Sequence, residues 1–214
     1  FDPKKTKNEA ESKLMNEWKI DKTLSFYQKK IILFPGRLTS WKGHEMFIES
    51  LNIFKQKNPD KLFYVIILGS DQGRKIYKKK IQRLVEQHRL VQDILFIDNC
   101  ENMPLAYKIS DIVTNCSIEP EAFGRVAVEA QAMEKVIVAS DIGGSRETII
   151  NNKTGFLFKA SEADALSDKL SHIFELDETT LKSMGNEGRK NVINKFNVEK
   201  MCFSTYSEYK KLIA

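Results

Sequence analysis

Residues 112–139 read IVTNCSIEPEAFGRVAVEAQAMEKVIVA and contain two short apolar runs separated by a loop and an amphipathic segment. The runs, Ile112–Asn115 and Val136–Ala139, do not alternate with polar residues, which is typical of strands buried on both faces. Between them, apolar residues recur at the spacing of one helical face: Val126, Ala127, Ala130 and Met133. The segment therefore predicts a strand, a helix and a second strand, the unit from which parallel sheets are built.

The same alternation continues over most of the chain. Four further apolar runs of the same character are Ile31–Phe34, Leu62–Leu68, Ile94–Ile97 and Gly155–Phe158. Amphipathic segments separate the runs, as in the stripe formed by Met46, Phe47, Leu51 and Phe54. Strands that alternate with helices predict a doubly wound, Rossmann-like α/β domain with right-handed crossovers.

The two ends of the chain follow other patterns. Residues 1–30 are polar and lysine-rich, and we interpret them as an interdomain linker and a helix. Residues 31–195 form the predicted Rossmann-like domain, and residues 196–214 form a carboxyl-terminal helix. From Ser161 onward the pattern is wholly helical, with predicted helices at Ala163–Leu176, Glu178–Asn194 and Val198–Leu212.

Composition excludes several classes of protein. The net charge of the chain, +5, is small, and basic residues are interspersed with acidic ones. This pattern argues against a nucleic-acid partner. Cys100, Cys116 and Cys202 lie far apart and form no CxxC pair, so neither a disulfide framework nor a metal site is expected. Such cysteine usage fits the reducing cytoplasm.

The loop after the first predicted strand reads PGRLTSWKG at residues 35–43. It has neither the G-x-G-x-x-G of dinucleotide binders nor the G-x-x-x-x-G-K-[ST] of nucleotide triphosphatases. It places Arg37 and Lys42 near a helix amino terminus, where positive charge is unfavourable unless an anion binds. The alternative interpretation is a solvated basic loop that Glu45 partly neutralises.

The loop after the fourth predicted strand carries two glutamates. Glu121 should precede the helix and Glu129 should lie more than one turn inside it, about 12 Å away along the axis if all eight steps were helical. That separation is too long for a retaining-glycosidase carboxylate pair, which needs about 5–5.5 Å. It suits two parts of one polyhydroxyl ligand, while Gly124 would let such a ligand approach the backbone. An ordinary acidic loop is the alternative.

These segments resemble a known family. EPEAFGRVAVEAQAM, preceded by PGRLTSWKG and followed by DIGGSRETI and NNKTGFLF, resembles the carboxyl-terminal, donor-binding domain of retaining glycosyltransferases of family 4, which have the GT-B fold. The resemblance covers about residues 31–195 in the family's order. The spacing Glu121-x7-Glu129 would be a weak signal alone. Three further motifs occupy the positions that the family's order requires, namely Gly36-Arg37, Lys42-Gly43 and Gly143-Gly144.

The resemblance implies a role for each matching residue. Arg37, which follows Gly36, and Lys42 would bind the donor's diphosphate and stabilise it as it leaves. Glu121 would bind the hydroxyls of the donor sugar, and Glu129 would bind the ribose. Main-chain N–H groups would assist at Phe123, Gly124 and Arg125, and the loop that holds the base would include Asn99 and Cys100.

The implied reaction moves a hexose from a nucleoside diphosphate sugar to an acceptor hydroxyl with retention of anomeric configuration. UDP is the commonest donor nucleotide of the family, which needs no cofactor and no divalent metal. The chain contains no Asp-x-Asp motif that would hold such a metal. Two departures from the family's pattern are Asp98, where glycine is common, and Glu134-Lys135, where Gly-Lys/Arg-Pro is usual.

The resemblance also implies partners. The family's amino-terminal domain, which binds a saccharide or lipid-linked acceptor in cell envelope synthesis, has no counterpart in this chain. We therefore expect the isolated chain to transfer no sugar. Lys78-Lys79-Lys80 forms a basic helix face that is either solvated surface or a peripheral contact with the inner face of the membrane.

Three other functions compete with a transferase. The first is a non-catalytic nucleotide-binding module of the same fold. A nicotinamide-dependent dehydrogenase is disfavoured by the missing glycine fingerprint, and a GT-B sugar epimerase explains the two glutamates less well.

Overall fold

A computed structural model of the chain describes residues 1–5, 8–20 and 29–213. Its six strands all run parallel and are β1 (Lys30–Pro35), β2 (Phe63–Leu68), β3 (Ile94–Ile97), β4 (Ile112–Asn115), β5 (Val136–Ser140) and β6 (Phe156–Phe158). Each predicted strand is confirmed to within one residue at either end. The doubly wound α/β fold is confirmed with them.

The strand order is β3-β2-β1-β4-β5-β6. The chain moves outward from β1 to β3, returns to the other side of β1 at β4, and then moves outward again to β6. The direction of winding therefore reverses between β1 and β4, which are hydrogen-bonded neighbours. Open parallel sheets bind ligands beyond the carboxyl ends of the strands at such a reversal, where the two connecting loops diverge.

Helices connect the strands and continue beyond them. The α-helices of the described residues are α1 (Asn8–Glu17), α2 (His44–Lys57), α3 (Lys75–Gln87), α4 (Met103–Lys108), α5 (Arg125–Ala132), α6 (Ser145–Thr148), α7 (Ala163–Glu175), α8 (Glu178–Lys195) and α9 (Val198–Ile213). The predicted helices α7, α8 and α9 are confirmed to within one residue at each end.

Both faces of the sheet are covered by helices. Along β1, Ile32 and Phe34 join a core with α2, α3 and α7, whereas Ile31 and Leu33 join a second core with α1, α4 and α5. Because successive residues of a strand point to opposite faces, both sets must be apolar. This two-sided burial explains why the strand sequences do not alternate.

The two terminal helices differ in packing. In the part of the chain assigned to a linker and helix, Leu14, Trp18 and Ile20 are buried in the second core; residues 6–7 and 21–28 lie outside the described residues. Helix α9, in contrast, has no buried residue among those described. Its exposed apolar side chains are Val198, Met201, Phe203, Tyr206, Tyr209, Leu212 and Ile213.

Helix α8 packs on the end of α5 through a glycine. A Cβ atom added at Gly185 would lie 2.2 Å from the carbonyl oxygen of Glu134, which is far inside van der Waals contact. We predict that Gly185→Ala destabilises the fold by about 1–3 kcal/mol through overpacking, although alanine is the better helix former. Asn186→Ala, exposed on the same helix, should be neutral or stabilising. Urea unfolding of both variants tests this, and equal stabilities would contradict it.

The first residue of α2 is a buried histidine. His44 has no exposed surface and its ring centroid lies 4.5 Å from that of Phe34. Burial lowers the pKa of His44 to about 4, an effect that the Thr39 carbonyl opposes and the charge of Lys42 reinforces. The unfolded state therefore binds more protons than the folded state between the ordinary pKa of about 6.5 and the folded pKa.

We predict that His44 makes the fold less stable as pH falls from about 6.5 towards 4. The loss at pH 4 should be on the order of 3 kcal/mol relative to neutral pH, because 2.5 pKa units separate the two states. Free energies of unfolding measured across this range should fall less steeply in His44→Gln. Parallel pH profiles for the two proteins would refute the assignment.

Candidate functional site

The loops that follow β1 and β4 are joined at the carboxyl edge of the sheet. The backbone N–H of Ile118 donates to the carbonyl oxygen of Trp41 at 2.8 Å. Between the loops, Gly43 has φ of +77°, and a Cβ there would lie 2.0 Å from the carbonyl oxygen of Cys116. Only glycine permits this approach, so the backbone itself brings the basic loop and the acidic loop together.

A third loop, after β5, supports the acidic one from behind. The N–H of Gly144 donates to the carbonyl oxygen of Glu121 at 2.8 Å. A Cβ at Gly143 would lie 2.6 Å from that same oxygen, and one at Gly144 would lie 2.5 Å from the backbone of Phe123. The two glycines therefore allow the turn to fix the backbone that carries Glu121.

These loops enclose a cleft of about 580 Å³. Eight of the residues singled out in the sequence line it, namely Gly36, Arg37, Lys42, Glu121, Phe123, Gly124, Arg125 and Glu129. The structure does not place Asn99 and Cys100 in this cleft. They line a separate pocket of about 410 Å³ against α1, and their part in binding a base stays a prediction.

The cleft contains a largely buried ion pair. Lys42 Nζ lies 2.8 Å from Glu121 Oε1, and their side chains are 9% and 17% exposed. The lysine also lies 4.5 Å from the centroid of the Trp41 ring, within reach of a cation–π contact. Ser117 donates a second hydrogen bond to the same carboxylate oxygen.

Glu121 is ionised in this setting. Burial by itself raises the pKa of Glu121, but the hydrogen bonds from Lys42 and Ser117, together with the lysine's charge and a bond from Asn115, bring the pKa below its ordinary value. An ionised carboxylate accepts hydrogen bonds and donates none. Glu121 therefore suits a ligand that presents hydroxyl groups.

Glu129 lies inside α5, as expected, and is also hydrogen-bonded. Its Oε2 accepts from the hydroxyl of Tyr107 at 2.9 Å, and its Oε1 lies 3.0 Å from Nη2 of Arg125. Sequence reasoning missed both Tyr107 and Ser117. A buried tyrosine in a short helix looks like any core aromatic, and the only signal for Ser117 was its place beside the acidic loop.

Positive charge and free N–H groups face the same cleft. Arg37 is exposed, and among the residues that the structure describes it has no carboxylate partner. Gly124 is the N-cap of α5 with φ of +73°, and no side chain caps the helix. Because the first N–H groups of a helix lack partners within it and carry partial positive charge, they can bind an anion.

The structure also bears on the basic run Lys78-Lys79-Lys80, on metal-binding groups and on membrane-spanning helices. Lys78 pairs with Asp98 at 2.5 Å and Lys80 pairs with Glu45 at 2.5 Å, so carboxylates neutralise two residues of the basic run. Within the described ranges, no group of three or more metal-binding side chains is present. None of the described helices combines the length and the apolar character that crossing a membrane requires.

Comparison with known sequences identifies relatives of this arrangement. The family model for glycosyl transferases group 1 matches residues 16–191. The D-inositol 3-phosphate glycosyltransferase of Corynebacterium glutamicum (strain R) is 30% identical over 160 residues, which are 74% of this chain and 38% of that protein. The capsular polysaccharide biosynthesis glycosyltransferase CapM of Staphylococcus aureus is 27% identical over 174 residues, 78% of this chain and 42% of its own length.

Similar solved structures cover more of this chain than the two sequence relatives do. A glycosyltransferase from Rickettsia africae ESF-5 superposes with a TM-score of 0.90 at 33% identity, covering 99% of this chain and 54% of that one. Anabaena HepE, solved in complex with UDP and glucose, has the same fold with a TM-score of 0.83 at 24% identity, covering 98% and 55%. The chain thus spans about half, or less, of the length of these relatives. It belongs to the group 1 family of glycosyl transferases, and its fold is that of the carboxyl-terminal domain of GT-B glycosyltransferases.

Proposed function

We propose that this chain is the donor-binding half of a retaining glycosyltransferase. The enzyme would move a hexose from a nucleoside diphosphate sugar, with UDP as the first nucleotide to test, to a saccharide or lipid-linked acceptor. One observation carries the proposal: Arg37, Lys42, Glu121 and Glu129, distant in the chain, line one cleft where the winding of the sheet reverses.

The diphosphate binds at the basic side of the cleft in this proposal. Arg37 has no carboxylate partner among the described residues and presents a planar guanidinium that matches two phosphate oxygens at once. Lys42 adds a point charge from a nearly buried position. The uncapped amino terminus of α5 contributes N–H groups and partial positive charge to the same space.

The hydroxyl-bearing parts of the donor bind at the acidic side. Glu121 is ionised and supported by Lys42 and Ser117, so it presents a fixed acceptor to the hydroxyls of the hexose. Glu129, five residues into α5, binds the ribose. The two carboxylates that line the cleft would thus engage both sugars of one nucleotide sugar.

The residues of this chain then stabilise the departure of the diphosphate. Negative charge grows on the leaving phosphate as the bond to the sugar breaks. Arg37, Lys42 and the start of α5 stand in position before that charge develops, and preorganised charge of this kind is often the largest contribution to catalysis. Neither a metal ion nor a cofactor enters this proposal.

The rest of the reaction requires other parts of a longer enzyme. The chain covers 38–55% of the relatives described above, and an amino-terminal domain would bind the acceptor and close over the donor. In this proposal residues 31–195 form the donor domain, residues 1–30 are the interdomain linker and helix, and residues 196–214 are a carboxyl-terminal helix. A cytoplasmic enzyme of cell envelope synthesis accords with this assignment.

Nucleotide binding tests the cleft directly. Calorimetric titration with UDP, GDP, ADP and NAD should show binding of at least one nucleoside diphosphate and none of NAD. Arg37→Ala should weaken diphosphate binding by about 1.5–3 kcal/mol, roughly ten- to hundredfold, because a charge-assisted bond to phosphate is lost.

Arg83→Ala provides the matched control, since Arg83 is exposed on α3 and does not line the cleft. It should leave affinity unchanged. Tight binding of NAD with no response to any nucleoside diphosphate would eliminate the transferase assignment in favour of a dehydrogenase.

A sugar-transfer assay tests whether the reaction requires both domains. We predict that the chain alone binds its nucleotide weakly and shows no transfer from UDP-glucose above background, measured as release of UDP with an acceptor saccharide present. Supplying the amino-terminal half should restore turnover. Turnover by the chain alone would contradict the two-domain proposal, whereas binding without turnover in the complete protein would favour a non-catalytic module.

A further inference from the structure

A buried tyrosine holds one of the two glutamates of the cleft. Tyr107, in α4, has no exposed surface, and its hydroxyl donates to Oε2 of Glu129 at 2.9 Å. Burial, followed by the charge and hydrogen bond of Glu129, raises the pKa of Tyr107 well above its ordinary value. The phenol therefore remains a protonated donor at physiological pH.

The other oxygen of Glu129 is held in a different way. Its Oε1 lies 3.0 Å from Nη2 and 3.3 Å from Nε of Arg125, but that arginine side chain is 82% exposed. Exposed ion pairs one helical turn apart contribute little, and water or a ligand replaces them readily. One oxygen thus has a fixed buried donor, and the other has an exchangeable one.

We propose that Tyr107 is a positioning residue for nucleotide recognition, fixing the carboxylate of Glu129 so that Oε1 accepts a hydrogen bond from the ribose while Arg125 moves aside. This rests on the proposed function, in which Glu129 binds the ribose. Tyr107 borders the cleft but has no exposed surface, so in this proposal it acts through Glu129 and not by contact with the ligand. It acts by restricting rotation of a carboxylate that would otherwise follow Arg125 towards solvent.

The orientation of the Glu129 carboxylate should affect the binding of nucleotides that carry ribose hydroxyls and not of those that lack them. A nucleotide with ribose hydroxyls gains from an oriented Oε1, because hydrogen bonds to charged acceptors depend on geometry. A nucleotide that lacks those hydroxyls makes no such bond, so it is insensitive to how Glu129 is oriented. A general loss of packing around Tyr107 would weaken both ligands alike.

Calorimetry with UDP and 2′,3′-dideoxy-UDP separates these effects. Tyr107→Phe should weaken UDP about tenfold through loss of the oriented bond to a charged group, and dideoxy-UDP less than about twofold. Where GDP or ADP binds more tightly than UDP, that nucleotide and its dideoxy form are used. Tyr77→Phe is the matched control, because the Tyr77 hydroxyl is also shielded from solvent but has no hydrogen-bond partner in the described structure; both affinities should be unchanged.

Equal losses for the two ligands, or no loss for UDP, would overturn the role of Tyr107.

Glu129→Ala, which removes both acceptor oxygens, distinguishes this inference from the function on which it rests. If Glu129→Ala leaves the ratio of affinities intact, Glu129 does not bind the ribose, and that part of the proposed function fails together with the inference. If Glu129→Ala abolishes the ratio while Tyr107→Phe preserves it, the ribose site stands and only the positioning role of Tyr107 is refuted.

Discussion

The ion pair between Lys42 and Glu121 is the interaction on which the cleft depends. It joins the loop after β1 to the loop after β4 with an Nζ–Oε1 distance of 2.8 Å. Removing two charges from water is costly, and such pairs often contribute no net stability to a fold. The pair is better explained by function, because it keeps a cation and an anion in one largely buried site before any ligand arrives. A phosphate can then compete for the lysine and a hydroxyl for the carboxylate.

Backbone packing makes that pair possible. At Gly43 and Gly143 the main chain has positive φ, and a side chain at either would meet a neighbouring carbonyl oxygen within 2.6 Å. The contact at Gly43 fixes the spacing between the loops after β1 and β4, and the contact at Gly143 fixes the loop after β4 against the loop after β5. Charged side chains on flexible loops would lose conformational freedom each time a ligand bound, whereas loops fixed by backbone contact lose much less.

Much of this arrangement follows from sequence, and the remainder has identifiable causes. Burial on both faces gives strands without polar alternation, so all six strands and their winding were predictable. Parallel winding then places the loops of Arg37 and Glu121 at one edge. Side-chain contacts such as that of Tyr107 were not predictable, because an aromatic residue in a helix carries no mark of what its hydroxyl touches. The position of Asn99 and Cys100 relative to the cleft was not predictable either. Both residues follow β3 at the edge of the sheet, and β2 and β1 lie between β3 and β4. Order along the chain does not specify that lateral distance.

If the chain is the donor-binding half proposed above, the charges of the cleft account for why it should bind its donor weakly on its own. Each of the two glutamates is already paired with a cation, Lys42 or Arg125, so a ligand must exchange existing contacts and gains only the difference. In an open cleft that difference is small, because water screens every charge. A second domain that covers the cleft would exclude water and strengthen each interaction with the diphosphate without altering a single residue of this chain. Donor affinity and the stabilisation of the leaving group would then rise together on closure, which couples the chemistry to the presence of the acceptor domain.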